Sequence, residues 1–149
     1  MTSRILVIAS GGGHWQQLME VRAAWAGQDA LHVTTIAELP ERFEATPFRI
    51  VPDCNRDDKR AILACGWALG RLMLSYRPHV VLSTGALPGV MALALGKMMG
   101  ARTIWLDSVA NAEEMSMSGR AARRFADLWL SQWPHVAEAS GAEYAGSIL

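Results

Sequence analysis

Short apolar runs alternate with longer amphipathic segments along the whole chain. Ile5–Ala9 is rich in β-branched residues, stops at Ser10-Gly11-Gly12-Gly13, and reads as a strand. The next segment carries Leu18, Val21, Arg22 and Trp25 at helical spacing and predicts one helix ending at Gly27. Leu31–Ile36 and Phe48–Val51 read as the second and third strands, Asp57–Tyr76 as a long helix, and His79–Leu82 as the fourth strand. Ser83–Gly89 is a cluster of chain breakers, followed by a helix over Pro88–Met99 closed by Gly100. Thr103–Leu106 predicts a fifth strand, Ser118–Phe125 a short helix and Leu128–Leu130 a sixth strand ending near Trp133-Pro134. Ala142–Leu149 is either a seventh short strand or a tail. The chain contains no repeat, low-complexity tract or linker, so 1–149 is expected to be a single domain.

Strand and helix in alternation predict an α/β fold, an open parallel sheet with helices on both faces joined by right-handed crossovers. Ligands of such sheets bind beyond the carboxyl ends of the strands, where the strand order reverses, and in the nucleotide-binding order that point lies between the first and fourth strands. The two most glycine-rich loops, Ser10-Gly11-Gly12-Gly13-His14 and Ser83-Thr84-Gly85-Ala86-Leu87-Pro88-Gly89, follow those two strands.

Composition narrows the classes. The 149 residues hold 14 basic and 14 acidic side chains for zero net charge, 19 % of the chain is charged and 51 % is hydrophobic. A basic nucleic-acid binder and a disordered chain are both disfavoured. Cys54 and Cys65 are too few for a disulfide scaffold. The N-terminus, in which Met1-Thr2-Ser3-Arg4 runs into an apolar strand, has no secretory pattern, so a cytosolic location with reduced thiols is expected. The uncharged run Pro78–Gly96 is 19 residues, close to membrane-spanning length, but it divides into strand, turn and helix and cannot satisfy its backbone in hydrocarbon.

A glycine loop that opens a helix offers free N–H groups and the positive end of the helix dipole to an anion. The loop is not a dinucleotide fingerprint, because Gln16 stands where the last glycine of G-x-G-x-x-G belongs and no acidic residue closes the second strand. Nor does a Lys-Ser/Thr pair follow it, as a P-loop requires. His14 falls on the first helical turn; it is a candidate general base, or alternatively an N-terminal hydrogen-bonding group. His32, His79 and His135 stand alone and are expected to be structural, and no His or Cys spacing suits a metal, so none is expected, nor any cofactor. Beyond the fifth strand, Asp107 can orient a substrate hydroxyl, act as a second candidate base, or cap its turn, as can Ser108 and Asn111. Arg120, Arg123 and Arg124 form either a diphosphate or anionic-membrane site or a solvated face. The helix Asp57–Tyr76 has one narrow polar stripe of Asp57, Arg60, Arg71 and Ser75 and is apolar elsewhere. A neighbouring helix or lipid must cover the excess, and coverage by neighbouring elements is the expectation.

Taken in order, Ser10-Gly11-Gly12-Gly13-His14, Ser83-Thr84-Gly85 with Pro88-Gly89, Trp105-Leu106-Asp107-Ser108, Ser116-x-Ser118-Gly119-Arg120, and Ala126-Asp127-Leu128 with Ser131-Gln132-Trp133-Pro134 carry a resemblance that spans essentially the whole chain. The chain resembles the acceptor-side, membrane-recruiting subunit of the two-chain UDP-N-acetylglucosamine transferase, the asparagine-linked-glycosylation protein fourteen family, and its bacterial exopolysaccharide glycosyltransferase relatives. The resemblance implies a Rossmann-like domain equivalent to the N-terminal, acceptor half of a GT-B glycosyltransferase. It implies an inverting, metal-independent subunit that holds a polyprenyl-diphosphate-linked acceptor at the inner face of the membrane and recruits a small donor-binding partner chain that carries the UDP-sugar. On these residues it implies His14 as base with Asp107 second, and phosphate or acceptor contacts from Ser10, Gly11, Gly12, Gly13, Thr84, Gly85, Ser108, Asn111 and Arg120. Partner contacts would fall on Gln132, Trp133 and Tyr144. Two features depart from the family pattern: relatives often carry Glu at the position of Asp107, and eukaryotic members begin with a spanning helix that this sequence lacks, so its membrane contact is expected to be peripheral. The competing readings are a stand-alone nucleotide- or phosphate-binding module and a membrane-surface scaffold without activity.

Overall fold

The computed structural model describes residues 2–148; Met1 and Leu149, the outermost residues of the expected domain and of the segment Ala142–Leu149, lie outside the described residues. Seven strands, β1 (Arg4–Ala9), β2 (Asp29–Thr34), β3 (Phe48–Ile50), β4 (Val80–Gly85), β5 (Arg102–Leu106), β6 (Leu128–Ser131) and β7 (Glu143–Tyr144), form one sheet in the order β3-β2-β1-β4-β5-β6-β7. Every pairing is parallel, and the order reverses between β1 and β4, as the loop placement implied. Among the described residues six α-helices lie between them: α1 (Gly13–Glu20), α2 (Glu38–Arg42), α3 (Lys59–Tyr76), α4 (Ala86–Met98), α5 (Met117–Ala122) and α6 (Pro134–Ser140).

The period-2 alternation of β1 divides the interior. Leu6 and Ile8 enter the larger core with Cys65, Leu69 and Met73 of α3 and Leu93 of α4, whereas Val7 and Ala9 enter a smaller core with Trp15 and Leu18 of α1. α3 is started by Asp58, whose carboxylate accepts from the Ala61 N–H at 3.1 Å, and ended by Arg77 in the left-handed region.

Several boundaries depart from the sequence expectation. The helix expected to reach Gly27 stops at Glu20, and a 3-10 turn over Arg22–Trp25 follows. The tighter turn directs Trp25 into the smaller core beside His32, a tertiary gain that helical periodicity does not register. The breaker cluster is extended strand through Gly85, and α4 begins at Ala86, whose φ of 67° turns the chain abruptly from sheet into helix. α5 runs over Met117–Ala122 instead of Ser118–Phe125 because Ser116 caps it, its hydroxyl accepting from the Gly119 N–H. α2 and α6 were not expected. The first is too short to show a period, and the second is marked by Pro134 at its start and Gly141 (φ 84°) after its end.

The expectation that neighbouring elements cover α3 is overturned. Cys65, Leu69 and Met73 are buried, but Leu63, Trp67 and Leu74 are 73 %, 72 % and 65 % exposed. No helix among the described residues is long and apolar enough to cross a membrane.

Candidate functional site

At the carboxyl end of β1 the chain turns through Gly12, whose φ of 72° with ψ −138° only glycine adopts readily, and enters α1 with His14 on its first turn. The end of β4 seats that histidine. The Thr84 hydroxyl donates to the His14 carbonyl at 2.6 Å. Gly85 lies directly beneath the ring, so close that a Cβ there would stand 2.1 Å from His14 Nδ1. Nδ1 is consequently buried, and it has no hydrogen-bond partner among the described residues. The ring borders an open cavity of about 400 Å³ that is also lined by Ala86, Asn111, Ser116, Ser118 and Arg120. Arg120 is anchored by its Nε to the Met115 carbonyl and pairs with Glu114 at 3.2 Å on the exposed rim. A second cavity of about 510 Å³ shares Glu114, Met115 and Arg120 and extends to Arg123, which lies over the Trp129 ring at 5.3 Å.

The loop after β5 is held from below. Asp107 is 2 % exposed, and its carboxylate accepts from Trp105 Nε1 (3.0 Å), the Ser116 N–H (2.9 Å) and the Ser116 hydroxyl (2.6 Å). Ser116 Oγ in turn accepts from the Gly119 N–H at 2.8 Å. The carboxylate therefore staples the start of the loop to Ser116 at the start of α5, and Ser116 lines the cavity; Asp107, expected from sequence as a second base, is buried here and serves as an acceptor for this loop.

A further network, not anticipated, ties α1 to that loop. Gln17, one turn beyond His14, donates to Ser108 Oγ at 2.9 Å and accepts from the Val109 N–H at 3.0 Å and from Gln132 Nε2 at 2.8 Å. Gln132 also donates to the Asp107 carbonyl at 2.9 Å and accepts from the Ile148 N–H at 3.1 Å. Gln132 is 2 % exposed, which corrects its expected role on a partner surface: its amide is consumed inside the molecule. Trp133 is half-buried and donates to the Val109 carbonyl at 2.7 Å, while Tyr144 stands about half exposed on the edge strand β7.

Of the expected ligand contacts, His14, Asn111 and Arg120 meet in one cavity. Ser108 and Thr84 do not reach it, being buried and engaged internally. Gly11 packs against Ile36 on the side of β2, and Ser10 precedes it at the end of β1. Gly12 and Gly13 are exposed at the entry to α1. The other histidines are structural: His79 Nδ1 accepts from the Arg4 N–H at 3.0 Å, His32 bonds the Pro47 carbonyl at 3.0 Å, and His135 bonds the Ala112 carbonyl. Burial lowers the His32 pKa from its ordinary value, the Pro47 contact opposing and the nearby Arg22 charge adding to the effect. No group of three or more His, Cys, Asp or Glu among the described residues has the arrangement of a metal site.

The structure is similar to solved proteins of low sequence identity. MurG of Acinetobacter baumannii matches with a TM-score of 0.73 at 13 % identity, over 97 % of this chain and 44 % of that one. A UDP-N-acetylglucosamine 2-epimerase of Rickettsia bellii matches with a TM-score of 0.74 at 10 % identity, over 99 % and 46 %. At these identities the likeness establishes the fold, the Rossmann-like architecture expected from the sequence. Two curated relatives are each named UDP-N-acetylglucosamine transferase subunit ALG14. That of Eremothecium gossypii is 28 % identical over 87 % of this chain and 51 % of its own length, and that of Yarrowia lipolytica is 31 % identical over 53 % and 40 %. The chain thus spans about half the length, or less, of the curated relatives it matches. The family described as oligosaccharide biosynthesis protein Alg14 like matches residues 59–148, more than half of the sequence and the part that carries Thr84, Asp107, Arg120 and Gln132, and the chain belongs to that family.

Proposed function

We propose that this chain is the acceptor-side subunit of an inverting glycosyltransferase. It would hold a polyprenyl-diphosphate-linked saccharide at the cytoplasmic face of a membrane while a separate, small donor-binding chain presents UDP-N-acetylglucosamine or a related UDP-sugar. The observation that carries the reading is His14: a ring on the first turn of a helix at the reversal point of the sheet, seated on Gly85 and bordering an open cavity. The names of the curated relatives, each a transferase subunit, and the likeness to under half of the MurG chain support a site completed by a second chain.

In this reading His14 is the base. With Nδ1 packed against Gly85, Nε2 is the nitrogen that a ligand in the cavity meets. It takes the proton of the acceptor hydroxyl as that oxygen attacks the anomeric carbon, the carbon–oxygen bond to UDP breaks, and configuration inverts. Arg120 and the free N–H groups at the start of α1 face the acceptor's diphosphate, where fixed dipoles and a guanidinium hold anionic oxygens. Asp107 and Gln17 position the loops without touching the reacting atoms. Tyr144 and Trp133, near the open β7 edge, are the residues proposed to meet the partner chain.

The test is reconstitution. Transfer from radiolabelled UDP-N-acetylglucosamine to a polyprenyl-diphosphate-linked acceptor is expected only when this chain, a donor-binding chain and membranes are combined. Efficient transfer by this chain alone would refute the split site. His14→Ala is expected to lower turnover by about 10²–10⁴-fold with partner binding intact, and unchanged turnover would remove His14 as the base. Tight calorimetric binding of a UDP-sugar to the isolated chain would favour a stand-alone nucleotide-binding module.

A further inference from the structure

The outward stripe of α3 is Arg60, Leu63, Trp67, Arg71 and Leu74, spaced three or four residues apart and all exposed. At 1.5 Å per residue it extends about 21 Å along the surface. Within Lys59–Tyr76 the charged residues are Lys59, Arg60 and Arg71, with no carboxylate, although the chain as a whole has zero net charge. Asp57 and Asp58 stand only at the helix entry, and Asp58 is occupied as its cap. None of the three cations forms an ion pair among the described residues. Beside the stripe, between α3 and the edge strand β3, lies a groove of about 490 Å³ in which Arg49 and Arg71 flank Ile50, Trp67 and Leu72. The groove lining contains no acidic side chain.

Exposed Leu and Trp interleaved with unpaired Arg, beside a groove flanked by two guanidinium groups, match the boundary between phospholipid headgroups and acyl chains. We propose that this face of α3 and β3 docks on an anionic phospholipid surface, with Leu63, Trp67 and Leu74 entering the acyl boundary and Arg49, Arg60 and Arg71 engaging headgroup phosphates. The inference builds on the proposed lipid-linked acceptor and identifies the surface that would bring the chain to it. The face also adjoins the site: Arg56, just before α3, donates to the Met117 sulfur at 3.3 Å, and Met117 lines the His14 cavity. The entry of α3 therefore lies beside that cavity.

Flotation with vesicles of phosphatidylcholine, alone or mixed with phosphatidylglycerol, tests the proposal on the unpartnered chain. The wild type is expected to float with the anionic vesicles and much less with the neutral ones. Arg60→Gln/Arg71→Gln should lose about fivefold in affinity per arginine, an effect that fades at high salt. Leu63→Ser/Trp67→Ser should lose at least about tenfold, and all four side chains are exposed, so circular dichroism and melting should be unchanged. Failure of the wild type to bind either vesicle, or undiminished binding by both variants, would overturn the proposal. So would loss of binding to a donor-binding chain in vesicle-free solution with vesicle binding retained, which would make the face a protein interface. His14→Ala is expected to float like the wild type. Absence of sugar transfer in a reconstituted mixture whose chain still floats through α3 would refute the transferase reading and leave the docking surface standing.

Discussion

Asp107→Asn separates the structural account of the loop after β5 from a catalytic one, because it removes a charge while keeping size and shape. In the wild type the two carboxylate oxygens accept from the Trp105 indole, the Ser116 N–H and the Ser116 hydroxyl, all within 3.0 Å. The hydroxyl can rotate and accept from an amide instead of donating, but the indole and the backbone N–H cannot reverse. One faces Oδ1 and the other Oδ2, so either orientation of the Asn amide sets an NH₂ against one fixed donor. A buried donor without an acceptor costs about 1–3 kcal/mol. At an unfolding entropy of about 2.1 cal/mol/K per residue, a chain of this length loses roughly 3 °C of melting temperature per kcal/mol. Asp107→Asn should therefore melt roughly 3–10 °C below the wild type, and Asp107→Ala, which strands both fixed donors and opens a void, lower still. Differential scanning calorimetry of the isolated chain reads this without partner or substrate. A variant melting within about 1 °C of the wild type would refute the stapling role and return Asp107 to the candidates for chemistry.

Gly85→Ala should act through His14. Gly85 has extended backbone open to any residue, but its new methyl would collide with the ring, so turnover of the reconstituted mixture should fall about 10²-fold; a Gly85→Ala/His14→Ala double variant should be no worse than His14→Ala, and multiplicative losses would show the two residues to be independent. His32 sets an acid limb: its pKa is lower folded than its ordinary value of 6.5, so the unfolded chain binds the extra proton and stability should decline as pH falls below about 6.5 towards the lowered value. A His32→Asn variant should show a flatter melting profile from neutral pH to pH 5 or so, and an unchanged slope would assign the limb elsewhere. Tyr76 sets an alkaline one, since burial foremost pushes its hydroxyl from 10.0 up to about 12 while that hydroxyl donates to the Asp29 carbonyl at 2.6 Å. Its contribution is complete below pH 10 and lost as pH rises towards 12, so Tyr76→Phe should cost about 1 kcal/mol at neutral pH and lack that alkaline loss; an equal alkaline loss in wild type and variant would contradict the assignment.

The parallel sheet and its reversal point were legible because apolar runs broken by glycine report directly on strands and on the loops that end them. Ser10–His14 and Ser83–Gly89 thus point to the end of the sheet at which the candidate site lies. The distinction between residues that face the cavity and residues that hold it together was not legible. Ser108, Thr84 and Gln132 are small or polar and sit in the right loops, yet their polar atoms are spent on Gln17, the His14 carbonyl and the Asp107 carbonyl. Which way such a side chain turns is decided by partners as many as 115 positions away, and local pattern carries no information at that range. Gln17 carried one usable signal, its place one turn beyond His14 on the same helix. α3 shows the converse: its apolar excess was visible in the sequence, but only the packing reveals that Leu63 and Trp67 face outward.

Gln132 bonds at once to the segment around Ile148, which already packs beside Val21 and Leu106, and to the loops of the candidate site. One side of its amide receives the Ile148 N–H, and the other grips the Asp107 carbonyl and Gln17 at the site. Displacing either side would leave a polar atom of this buried amide without its partner, at a cost of about 1–3 kcal/mol. Ile148 is thus held to the candidate site through one buried side chain, 16 positions before it and 115 beyond Gln17.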